Sequence, residues 1–504
     1  MGPEPFLDAM STHPDFNMVI GGRAYDPAPY VAFSVFHACQ TSGKTSLTDA
    51  HIGGFTHMGK IMECGALCAT PKAKSSMATV YVDGSFDIKP LDVGSRCTPA
   101  SVASHTLYEK SRPDVLAGPG GSLDLRGTRY EQMPDRVSVH VKGATFNWLR
   151  EDGAPYTVKL EAAKVKGFRT IFMGGVRDPI MIKQIDNALE RIKEHVKKQN
   201  KNIQGEWDIG FHVYGSNGIM GSLEPGDLEY LPREVFIVGE VLAPTQTAAN
   251  TIASSARVGL VHGSYPGQRG TGGNLAMGIG GKMEIEMGPC AEFCVYHLMD
   301  LAAGTEGARE IFNSQEDTMS GGNGPLFSWR LKQIGKALPE VSNGHVPARP
   351  GQVPVKTIVA VPKILPQITK YLLPKLQLTA STTLAEIAPV IRSKNSGPYD
   401  ITLDVVFSSL SVYNIIKKSD LLSRATIARL YHLGESAIIW CGFFDQAMAF
   451  KATIPRMRDG RFVSSGAYME MDVHASQQYA GLLDLKLGEE ICDELRGLDL
   501  SILE

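Results

Sequence analysis

The sequence predicts an α/β protein in two modules: a larger N-terminal module of layered, mixed sheets and a smaller α+β C-terminal module. Three observations carry this. Short apolar or alternating runs recur between amphipathic helical stretches along the first two thirds of the chain. Residues 341–356, VSNGHVPARPGQVPVK, are proline-rich and without periodicity, which marks a connection. Helix and strand patterns then resume. The expected boundaries are residues 1–340 for the first module, 341–382 for the connecting segment and 383–504 for the second module.

The elements follow in order. Residues 17–22, NMVIGG, predict a buried strand, residues 23–29 a loop, and the pattern from Tyr30 a helix. Asp83-Gly84, flanked by alternating apolar residues over 78–89, predicts a hairpin. Residues 137–141 alternate as a strand. Residues 169–173 predict a strand, Gly174-Gly175 a turn, and Pro179 the first turn of a helix. That helix carries Ile182, Ile185, Leu189, Ile192 and Val196 on one face. Residues 207–214 and 234–241 predict strands and 245–258 a helix. In the second module, 383–391 and 421–433 predict helices, and 400–407 and 437–444 strands.

Composition bounds the function. The 504 residues hold 50 basic and 53 acidic side chains, a net charge of −3. No basic run is dense enough for nucleic acid or an anionic membrane. No stretch reaches the roughly 20 apolar residues of a membrane span. The opening residues lack a signal-peptide pattern, so a cytoplasmic location is expected. The eight cysteines are too sparse for a disulfide framework. Cys64/Cys68 and Cys290/Cys294 are spaced to share one helix face. With no CxxC pair and no HxxxH beside them, buried thiols rather than metal ligands are expected.

Four polar clusters could hold chemistry. Arg23 and Asp26 follow the first expected strand, where ligands of open α/β sheets gather, although a local ion pair is the competing reading. The glycine-rich stretch 53–66, GGFTHMGKIMECGA, holds His57, Glu63 and Cys64, side chains suited to proton transfer. A glycine-rich helix packed closely on a sheet explains that stretch equally well. Residues 264–274, SYPGQRGTGGN, could form an anion-binding nest with Arg269 and Asn274, and compete with a plain surface loop. In the second module Arg392, Lys394, Asn395 and Arg456 suit recognition of a carboxylate, or else a solvated strand edge.

At these clusters the first module resembles the acyclic terpene utilisation (AtuA) family. The resemblance rests on VIGGRAYDPA at 19–28, GGFTHMGKIMECGA at 53–66 and DGSFDIKPLDVGSRCTPASVASHTLYE at 83–109. It continues with PDVLAGPGGSLDL at 113–125, the long stretch 238–276 and EMGPCAEFCVYHLM at 286–299. The family has a longer opening ahead of the VIGGR segment, so this chain is N-terminally short for it. Residues 392–407 and 451–456 resemble a small domain of uncharacterised function, often encoded beside AtuA-like proteins as a separate chain.

The resemblance implies metabolism of branched or isoprenoid acids or their acyl thioesters. The expected activity is a lyase (hydratase or dehydratase) or an isomerase. Glu63 or His57 would move the proton, and Arg23, Arg269, Arg392 and Lys394 would hold the acid. No cofactor is evident, and a CoA thioester could be the substrate. Expected partners are a small acid or thioester and further copies of the chain. The competing functions are a non-catalytic acyl-binding or regulatory subunit, and a ligase or transferase using a phosphorylated cofactor at 264–274.

Overall fold

The computed structural model describes residues 1–42, 47–225, 231–277, 280–302, 304–307, 326–335, 378–458 and 460–498. Most of the expected connecting segment, residues 341–377, lies outside the described residues. The α/β class holds, as separate N- and C-terminal modules. Every ladder among the described residues runs antiparallel. Hairpins and long returns stand where parallel crossovers would otherwise be needed.

The chain opens with helices α1 (Glu4–Thr12), α2 (Ala28–Ser42) and α3 (Asp49–Met62). Their apolar faces meet at Phe6, Leu7, Val31, Val35, Ile52 and Phe55, together with Phe146 and Trp148. The strand expected at 17–22 does not form: Met18 is 75% and Ile20 84% exposed, in irregular backbone. An apolar run becomes a buried strand only when a neighbouring ladder accepts it, and among the described residues none does.

The next elements are β1 (Ala69–Thr70), β2 (Ser76–Val80), β3 (Phe86–Pro90), β4 (Arg96–Cys97) and α4 (Pro99–His105). After them come β5 (Val115–Gly118), β6 (Gly121–Asp124), β7 (Arg129–Gln132), β8 (Val139–Lys142) and β9 (Thr145–Trp148). They form sheets ordered β2-β3-β8-β7 and β5-β6-β9, and a short β1-β4 ladder. The Asp83-Gly84 hairpin is present, with the Asp83 carboxylate accepting from the Ser85 amide. The glycine-rich stretch is α3 itself, and its glycines let it lie against the backbone of these sheets. A Cβ on Gly53 would meet Ala144 and Thr145, and one on Gly54 would run into the Gly84 carbonyl.

The largest ladder joins β10 (Thr157–Val176), β11 (Asp208–Tyr214), β12 (Val235–Ala243) and β13 (Ile285–Asp300) in the order β11-β12-β10-β13. Gly174 and Gly175, expected to turn, instead pair with Ile237 and Phe236, because β12 offers a ladder along the whole C-terminal half of β10. The Asp178 carboxylate accepts from the Ile180 and Met181 amides and starts α5 (Pro179–Ile182), which leads into α6 (Ile185–Gln199). The five apolar residues predicted for one face are buried there, and α7 (Gln246–His262) completes the layer. Cys290 and Cys294 lie on β13 rather than on a helix, the first buried and the second exposed. Pairing with β10 overrides a local pattern that suits either period.

The second module has β14 (Val390–Asn395), β15 (Asp400–Val406), β16 (Trp440–Phe444) and β17 (Ala449–Pro455), ordered β14-β15-β17-β16. A small hairpin follows from β18 (Met457–Arg458) and β19 (Arg461–Phe462). Helices α8 (Leu410–Lys418), α9 (Arg424–Leu430), α10 (Ala480–Leu483) and α11 (Glu489–Arg496) share its core with Ile401, Leu403, Val405, Phe450, Ala452 and Ile454. The helix expected at 383–391 is a single 3-10 turn, Leu384–Glu386, because the chain then enters β14. Residues 392–395 therefore form a strand of the sheet. No helix among the described residues is long and apolar enough to cross a membrane.

The close approach of α3 gives a stability test. Gly54→Ala should lower stability by about 1–3 kcal/mol through forced backbone displacement. Gly22→Ala, whose added Cβ meets nothing within 4 Å among the described residues, should be close to neutral. Urea unfolding of the two variants against the parent checks both.

Candidate functional site

The site grows from the C-terminal half of α3. His57, Lys60, Glu63 and Cys64 recur at three- and four-residue spacing, so they share one side of the helix end. Lys60 is fully buried, and its ammonium pairs with the Glu63 carboxylate, whose side chain is 10% exposed. A buried ammonium needs such a partner. Burial still dominates at Glu63: it holds the carboxyl above its ordinary range, while Lys60 and Lys110 pull it down. Burial likewise raises the Cys64 thiol, with Glu63 adding to it.

Three buried polar atoms around Lys60 have no hydrogen-bond partner among the described residues: the Tyr25 hydroxyl, His57 Nδ1 and His105 Nε2. Tyr25, His57 and His105 each feel the Lys60 charge. Burial pushes both imidazoles down to about 3, so they are neutral near pH 7. The His57 Nε2 lies 3.4 Å from the Tyr130 hydroxyl. Buried polar groups are normally satisfied, so these orphans leave hydrogen-bonding capacity unused beside Lys60.

Lys110, in the loop after α4, completes the group. Its ammonium lies 5.0 Å from the centre of the Tyr25 ring. Burial lowers its pKa, and Glu63 and Asp26 are the largest opposing charges. Asp26 is exposed, and its charge reaches Glu63, Cys64 and Lys110.

The second module closes one side. Arg392, Asp404 and Lys451 are register neighbours across β14, β15 and β17. The Asp404 carboxylate accepts from Arg392 at 2.9 Å and from Lys451 at 2.8 Å. Arg392 also donates to the Ser104 carbonyl and Lys451 to the Leu107 carbonyl, each at 2.9 Å. Lys394 pairs with Glu109 at 3.6 Å, and Arg392 and Lys394 both face the Tyr108 ring.

The structure thus brings Asp26, His57, Glu63, Cys64, Arg392 and Lys394 to one region. Arg23 is exposed nearby in sequence. Arg269 and Asn274 lie elsewhere, at the ends of α5 and α7. The Asn274 amide donates to the Leu260 and Gly263 carbonyls at the end of α7, and Arg269 is exposed near Asp178. Arg456 and Asn395 bind each other, and Arg456 also pairs with Glu470 at 2.9 Å. Close by, Tyr468 and Met469 donate to Glu240 of β12, which also meets His212 at 3.1 Å.

Sequence reasoning passed over Lys60, Tyr25, His105, Lys110 and Asp404. A signal existed for two of them. Lys60 is the only lysine or arginine on a glycine-rich apolar helix, and Asp404 a lone acid in the apolar run ITLDVVF. Such charges, once buried, must find partners. Nothing local marks Tyr25 or Lys110, which meet only through the fold.

Two predictions follow from this electrostatics. Asp404→Asn leaves two cations without their shared carboxylate and should cost about 3–5 kcal/mol in urea unfolding. His57 and His105 bind a proton in the unfolded chain below pH 6.5 that the folded chain takes up only near 3. Stability is therefore complete above 6.5 and lost as pH falls through that window. By about pH 5 each histidine should account for about 2 kcal/mol of that loss. His57→Gln and His105→Gln should flatten the decline in stability between pH 7 and 5.

The comparisons with known proteins agree with this architecture. Residues 384–486 match a domain of unknown function, DUF4387. No curated protein and no solved structure matches the chain. Residues 1–279, more than half of the chain, match the acyclic terpene utilisation family protein AtuA, and the chain belongs to that family.

Proposed function

We propose that the chain is an enzyme, a lyase or isomerase that moves a proton next to the carbonyl of a small carboxylic acid or its CoA thioester. The observation that carries this reading is the orphaned Tyr25 hydroxyl and the Lys110 ammonium beside a Glu63 carboxyl raised by burial. A carboxylate poised closer to neutral pH is a better base for a weakly acidic C–H than an ordinary surface carboxylate.

In this reading the acid or thioester carbonyl sits against the Tyr25 hydroxyl and Lys110. Glu63 takes the proton from the adjacent carbon, and the developing negative charge on the carbonyl oxygen is met by those two donors. Lys60 holds Glu63 in place. In a dehydratase the hydroxyl on the next carbon then leaves as water, taking one proton from Glu63. In an isomerase Glu63 returns the proton to a different carbon. The neutral imidazole of His57 adds no charge that would compete for the acid. Arg392 and Lys394 belong to the wall formed by the second module, and their positive field favours an anionic substrate.

A panel of branched 3-hydroxy acids, 2-enoic acids and their CoA thioesters tests the reading, with gain or loss of enoyl absorbance as readout. Glu63→Gln should reduce kcat/KM at least about 100-fold on the substrate that turns over. Lys110→Met should also reduce it. Retention of full activity by Glu63→Gln would sink this assignment.

A further inference from the structure

The second module touches the proposed site mainly through one short stretch of the first. Between Ser104 and Ser111, β14 and β17 make four ties. Arg392 donates to the Ser104 carbonyl at 2.9 Å, and Lys451 to the Leu107 carbonyl at 2.9 Å. Lys394 pairs with the Glu109 carboxylate at 3.6 Å, and Thr453 donates its hydroxyl to the Ser111 carbonyl at 2.8 Å. These side chains come from two adjacent rows of one sheet face. Arg392 and Lys451 flank Asp404, and Lys394 and Thr453 flank Thr402. Leu107, fully buried, also enters an apolar patch formed by Val406, Phe444, Ala447 and Ala449 of the second module.

The loop needs such a grip. Glu109 has φ of 60°, a left-handed conformation that a non-glycine residue keeps only when its surroundings impose it. Lys110 follows directly, between the ties at Leu107 and Ser111. Its ammonium reaches over Tyr25 while Glu63 of α3, Asp26 of the opening loop, Glu109 of its own loop and Lys159 of β10 act on it. Three of the ties use main-chain carbonyls of the loop, so they fix its path rather than its side chains.

We infer that the second module is a clamp. The polar face of its sheet binds the loop 104–111 and holds Lys110 over Tyr25, so a complete site exists only where the two modules are docked. Lys451 and Thr453 are positioning residues acting through that loop. The inference rests on the proposed site only for the chemical task of Lys110. It also accounts for two buried charges, Lys451 and Asp404, that the proposed reaction does not use.

Amide hydrogen exchange and site-resolved trinitrobenzenesulfonate labelling of the full chain test this without a substrate. Thr453→Val removes one tie with almost no change of shape. It should speed exchange of the amides at 108–111 roughly fivefold, while amides of α3 stay at the parental rate. The pH midpoint for labelling Lys110, which burial holds down, should rise as the loop opens to water. Thr453→Ser, which keeps the hydroxyl, should restore parental behaviour, and Lys451→Met should act like Thr453→Val. If Lys451→Met does not fold, Thr453→Val alone decides. Parental exchange and labelling in Thr453→Val overturn the inference. Faster exchange with an unmoved Lys110 midpoint overturns it too, since the ties would then be structural only. Neither outcome bears on Glu63, so the clamp and the proposed reaction can fail separately.

Discussion

Asp404 shares one buried carboxylate between Arg392 and Lys451, and the arrangement at the module boundary depends on that sharing. A lone buried lysine is costly, and Lys451 has no access to water. A second of its donors is met by the Leu107 carbonyl of the first module, a bond that exists only when the modules are docked. The two modules are joined by a requirement for polar satisfaction as well as by apolar burial.

The same logic repeats on the other side of the boundary. Lys60 is buried on α3 and tied to Glu63, and three polar atoms near it are left without partners among the described residues. One network is closed and the other open. The closed one, around Asp404, supports the loop; the open one, around Lys60, has capacity left for something else. Closed networks rigidify, and open ones keep donors and acceptors unused. The glycines of α3 make this possible, since a helix with Cβ atoms at Gly53 and Gly54 could not reach the hairpin and strand backbones that position it.

Another contact between the modules lies on the large sheet, where Tyr468 and Met469 bind Glu240 of β12. Met469 takes the left-handed conformation, and Gly210 of β11 gives it room. The second module is thus held on the large sheet as well as on the loop after α4, and Gln446 donates to the Arg126 carbonyl besides. Several such anchors restrict rotation of one module against the other more than a single patch would.

Much of this fold is written locally. The apolar face of α6, the Asp83-Gly84 hairpin, the strand at Asp400–Val406 and the family resemblance itself follow from periodicity, turn chemistry and motif order, all properties of neighbouring residues. Part of the site is also visible there, because His57, Lys60, Glu63 and Cys64 recur at helical spacing. Tertiary structure decided the rest. Residues 17–22 form no strand, and Gly174-Gly175 extend one, according to whether a partner ladder is present. Asp404, Lys451 and Thr453 sit on the alternating positions of strands that would ordinarily face water, and only docking of the first module makes them interior. Tyr25 and Lys110 are far apart in the chain, and no spacing rule links them. Burial and hydrogen-bond partnership are set by what packs on top of a residue, and a linear pattern reports only which side of its own element a residue faces.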